Sequence, residues 1–171
     1  MTPPVWVLTL AYWLHMLATV VWIGALATLV ILVLPTAQRS LEPKPYSDFL
    51  GQIQRRLDPI GWFCLLLLTG TGLVQMSANP NYQGFLAIDN RWGVAILTKH
   101  VVFLVMVGLS AYLTWGLLPQ TRRLALRRAR GLEDKDDQEY KILLKKETWL
   151  VNLNLVLGVA ILALTAIARA S

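Results

Sequence analysis

The amino-acid sequence predicts an all-α integral membrane protein, a four-helix bundle running up-down-up-down with both termini outside. Three observations carry that expectation. Apolar residues make up 56% of the 171-residue chain and charged residues only 15%, a membrane composition rather than a soluble one. The apolar residues gather in four runs, about 5–34, 60–76, 92–118 and 149–167, each near the length a helix needs to cross about 30 Å of hydrocarbon. Of the 16 Lys and Arg residues, 13 fall in the connections 35–59 and 119–148, which the positive-inside rule assigns to the cytoplasm. The whole chain, 1–171, reads as a single transmembrane domain. Its net charge of +6 is thereby a topology signal and a means of holding anionic lipid, not a nucleic-acid surface.

The first run opens after Pro3 and Pro4, which suit a first helical turn. No basic segment precedes it and no small-residue cleavage site follows, so it reads as an uncleaved span. Leu34-Pro35 is expected to close it, and Pro43-Lys44-Pro45 to stay extended. Ser47 or Asp48 then caps a short helix lying at the lipid headgroups. Asp58-Pro59 is a start signal for the second span, with Asp as cap and Pro in the first turn. Thr69-Gly70-Thr71-Gly72 in that span allows close approach of either a neighbouring helix or the flat face of a cofactor. Residues 77–90 form a turn-rich external loop, and Asp89 caps the third span. Leu118-Pro119 ends that span. Trp62, Trp115 and Trp149 mark the inner interface, and Asn152 and Asn154 suit interhelical hydrogen bonds. Cys64, the single cysteine, has no disulfide partner and fits a packing role. The two helical hairpins faintly resemble repeats of one another.

The only two histidines, His15 and His100, both lie inside apolar runs. An ionisable side chain there is costly and by default marks a functional site. His15 follows Trp6 by nine positions and His100 follows Trp92 by eight. If both tryptophans sit at one interface, a rise of 1.5 Å per residue places the imidazoles roughly 13.5 Å and 12 Å below it. First and third helices occupy opposite corners of such a bundle, so two imidazoles at one depth could serve as axial ligands of a haem b. On this reading Gly70, Gly72 and Gly158 give the porphyrin room, and Arg91 and Lys99 pair with its propionates. Lys99 otherwise snorkels to the outer interface. Electrons would pass to a quinone or an external redox partner, in a monomer or a homo-oligomer.

Copper is the rival cargo, since imidazole and thioether suit it. Met16, Met76 and Met106 nonetheless read as core filler: Met16 points away from His15, and Met106 lies about 9 Å along the helix from His100. No carboxylate falls within the four runs, which disfavours zinc and excludes paired-carboxylate and Ser/His/Asp catalysis.

Residues 13–24, ending at Leu34-Pro35, resemble the first span of CopD-type membrane domains and of the related HemJ-type proteins. The stretches Leu68-Thr69-Gly70-Thr71-Gly72 and Leu97-Thr98-Lys99-His100 are similar to segments of the same group. Resemblance to the first type implies copper uptake and resistance. Resemblance to the second implies a haem b-binding protoporphyrinogen oxidase that uses His15 and Lys99, although Thr36 here replaces the basic residue of that pattern. Either implies a multi-pass protein of a bacterial cytoplasmic membrane.

Overall fold

The structure, a computed structural model, describes residues 3–41, 43–80, 82, 84, 91–129 and 136–170. Among them four helices are long and apolar enough to cross a membrane, over Val5–Ser40, Asp48–Ser77, Trp92–Arg127 and Gln138–Ile167. The first helix packs along the second and the third along the fourth. The first also meets the fourth, while the second reaches the far end of the third. First and third are not close neighbours, which agrees with opposite corners. The chain is a multi-pass membrane four-helix bundle.

The helices are longer than the apolar runs. A 36-residue helix rises about 54 Å, well beyond a hydrocarbon core of about 30 Å. The excess extends the bundle at its basic end, where Leu34, Ala37, Tyr46, Leu50, Leu117 and Leu150 are buried in one cluster. Gln38 bridges there, its Nε2 donating to Tyr46 Oη at 3.4 Å and Thr148 Oγ1 at 3.3 Å. Burial pushes the Tyr46 phenol above its ordinary range, and the Gln38 hydrogen bond acts in the opposite direction.

Four proline signals are corrected. Pro35 does not end the first helix, because the turn before it widens into a π-helix, Leu29–Val33. Leu34 N–H bonds to Leu29 O, five residues back, and the ring of Pro35 escapes the carbonyl four residues back that a regular α-turn would press against it. The third helix repeats the device: Tyr112–Leu117 is π-helical, Leu118 N–H bonds to Leu113 O, and Pro119 follows inside a helix that runs on through Leu118–Ala129. This shared π-turn and Leu-Pro gives the two hairpins a concrete likeness. The second helix begins at Pro43 instead of leaving Pro43 to Pro45 extended, and it continues through Pro59. Asp58 is therefore inside a helix and caps nothing. The residues preceding the second apolar run form the same helix as the span, not a separate one.

Trp6 is 70% exposed and fits an interfacial position, whereas Trp92 is buried. Trp62 stacks on Trp115, with centroids 5.0 Å apart and planes 11° apart, and Trp115 and Trp149 are exposed at the basic end. Asp89 and most of the loop over 77–90 lie outside the described residues.

Candidate functional site

His15 is placed by three contacts. Its Nδ1 lies 2.8 Å from Thr71 Oγ1 on the second helix, its backbone carbonyl accepts from Thr19 Oγ1 at 2.7 Å, and Gly72 leaves room for the ring. A Cβ at Gly72 would stand 3.5 Å from His15 Cε1. One turn further out, Gln75 Nε2 donates to Ala11 O at 3.1 Å and ties the same two helices together.

The hydroxyl of Thr71 favours one histidine tautomer. Thr71 has one O–H hydrogen, and it donates to Leu67 O at 2.6 Å. With that hydrogen on Leu67 O, Oγ1 accepts from His15, an arrangement that favours the proton on Nδ1 and the lone pair on Nε2. His100 reaches the same state by another route: its Nδ1 is 2.7 Å from Ile96 O, a carbonyl that only accepts. Both half-buried imidazoles thus hold Nδ1–H against an oxygen, the outer hydrogen bond that orients a metal-ligating histidine. Lys99 is half-buried next to His100. The Arg91 side chain lies outside the described residues.

The glycines do not form a porphyrin cradle. At Gly72 the adjacent space is filled by His15. Gly158 faces Met106 and Ile23, whose Cε and Cγ1 would lie 3.6 Å and 3.7 Å from an added Cβ. Gly70 is exposed with nothing within 4 Å. The haem b reading finds no support in this packing. Gly72→Ala is expected to leave the His15–Thr71 contact intact, because 3.5 Å is ordinary van der Waals separation. Gly72→Leu should push the ring off Thr71, seen as a changed His15 imidazole resonance by NMR.

The sequence reading missed the other polar centre. A cavity of about 110 Å³ lies toward the basic end, lined by Trp22, Asp58, Trp62, Ser110, Thr114 and Asn154 among apolar residues of all four helices. Asn154 is 2% exposed; its Nδ2 donates to Ser110 Oγ at 2.8 Å, as expected of an interhelical asparagine. Gln54, which also lines the cavity, donates from Nε2 to Glu147 Oε1 at 2.7 Å, and Glu147 is 3% exposed. Two carboxylates therefore lie within the bundle, although the four apolar runs contain none. Each sits two residues before an apolar run, Asp58 before 60 and Glu147 before 149. The available signal was the spacing of Gln54, Asp58, Gly61 and Leu65, which share one helical face.

Between the two polar centres lies an apolar layer of Ala18, Trp22, Cys64, Leu65 and Met106. Met106, fully buried, and Cys64, 4% exposed, pack there as core residues. Among the described residues no group of three or more His, Cys, Asp or Glu side chains gathers as a metal cluster.

The family model described as copper resistance protein D, CopD, matches residues 51–168. That stretch contains the second, third and fourth spans, with His100, Asp58 and Asn154, while His15 precedes it. No curated protein and no solved structure matches the chain. With more than half of its length matched, across three of its four spans, the chain belongs to the CopD family of membrane proteins.

Proposed function

We propose that the protein handles copper in a bacterial cytoplasmic membrane, receiving the ion in the half of the bundle that contains His15 and His100. One observation carries this reading: in a CopD-family chain, the Nδ1 of each intramembrane imidazole lies against an oxygen, Thr71 Oγ1 or Ile96 O, an arrangement that favours the lone pair on Nε2. Neutral imidazole is a good copper ligand, and outer hydrogen bonds such as those to Thr71 and Ile96 raise its basicity and fix its direction. The concentration of basic residues at the opposite end puts the histidine half toward the outside. Copper is the cargo, met first on the outer side.

The test is copper retention by the detergent-purified chain against a competing chelator. His15→Ala and His100→Ala are each expected to weaken retention at least tenfold. Thr71→Ala should weaken it by about tenfold through loss of the outer hydrogen bond. Equal retention by the wild type and the double histidine variant would refute the proposal, and a Soret band from the purified wild type would replace copper with haem.

A further inference from the structure

The cavity near the basic end has features that an apolar helix junction does not need. One polar end of the Asn154 amide has no protein partner among the described residues; as placed it is Oδ1, fully buried. Burying an amide oxygen without a partner is costly, and Asn154 lines the cavity. Gln54, Asp58, Ser110 and Thr114 line it too.

The donor set specifies what fits. Its ligands are carboxylate, amide and hydroxyl oxygens, which are hard donors and unsuited to a soft ion such as Cu(I). One carboxylate among neutral oxygens balances one positive charge, and a divalent ion would leave its second charge uncompensated in a low-dielectric interior. The volume, about 110 Å³, accommodates an ion that keeps part of its water, since each water needs only about 10–15 Å³ of such space. Trp22 and Trp62 also line the cavity.

We propose that this cavity is a binding site for a partly hydrated alkali-metal cation, held by Asp58 with the oxygens of Asn154, Ser110 and Thr114. The site is separate from the histidine level: Asp58 is about 20 Å along its helix from Thr71, and Ser110 about 15 Å along its helix from His100. It does not rest on the copper reading.

The experiment uses the full chain in detergent, stripped of copper with a chelator, and compares thermal unfolding in sodium, potassium and N-methylglucamine chloride at equal ionic strength. At a hundred times the dissociation constant, sodium or potassium should raise the midpoint by about 5–10 °C over N-methylglucamine. Asp58→Asn and Asn154→Ala should abolish that difference. Asn152→Ala, an exposed neighbour bonded within its own helix to Thr148 O, should retain it. Line broadening of the ²³Na resonance by the wild type, lost in Asp58→Asn, gives a readout independent of variant stability. Equal midpoints in all three salts, or undiminished sodium broadening in Asp58→Asn, would overturn the proposal. Because copper is absent throughout, failure here leaves the copper reading untouched, and failure of copper retention leaves this site standing.

Discussion

Met106→Ala is expected to lower the stability of the bundle by about 2–5 kcal/mol, measured by unfolding in mixed micelles. Met106 is wholly buried. It packs in the layer with Ala18, Trp22, Cys64 and Leu65, with its methyl group against the Gly158 backbone. In a bilayer the lipid tails are as apolar as the core, so helix association depends on close packing more than on removal of surface from water. The loss should therefore fall in the lower half of that range, and it comes from contacts the truncated side chain no longer makes. Met106→Leu conserves volume and should cost less than about 1.5 kcal/mol. Gly158→Ala in the wild type meets Met106 and Ile23 at ordinary contact distance and should be close to neutral. Equal losses for Met106→Ala and Met106→Leu would show that the sulfur, not the volume, matters here.

That layer separates two polar centres whose visibility in the sequence was unequal. The spans were legible because a run such as 92–118 can do little else, and the histidines because each interrupts such a run. Their partners were not legible. Thr71 lies in a Thr-Gly-Thr-Gly stretch that fits helix packing as well as cofactor binding, and only the geometry shows its hydroxyl against His15 Nδ1. At Pro35 and Pro119 the helix extents were misjudged for one physical reason. Proline stops a regular α-turn, but at Pro35 and Pro119 the preceding turn is π-helical, which removes the steric conflict on which the rule depends. Asp58 was hidden by the same rule. Read as a cap before Pro59, it was assigned to a boundary, while the continuous helix carries it into the bundle. Glu147 was hidden among the charges of 133–147, where nothing in the sequence distinguishes a buried carboxylate from a solvated one.

Gln54→Leu tests that buried carboxylate. Gln54 and Glu147 are 8% and 3% exposed and joined by a 2.7 Å hydrogen bond, so they link the second helix to the fourth at the basic end. Removing only the amide leaves a buried carboxylate oxygen without its donor, at a cost of about 1–3 kcal/mol and more where the acid is ionised. Replacing both residues by Leu removes the stranded acceptor as well. A buried polar pair exchanged for apolar side chains is often neutral or stabilising, so the double variant should be more stable than Gln54→Leu alone. Glu147→Gln keeps an oxygen to accept from Gln54 and should cost little. The coupling from the double-mutant cycle, read from unfolding in mixed micelles, should thus show the single amide loss as the worst of the three variants. If the double variant is less stable than Gln54→Leu, packing around Glu147 outweighs its hydrogen bond, and the acid is held there by shape.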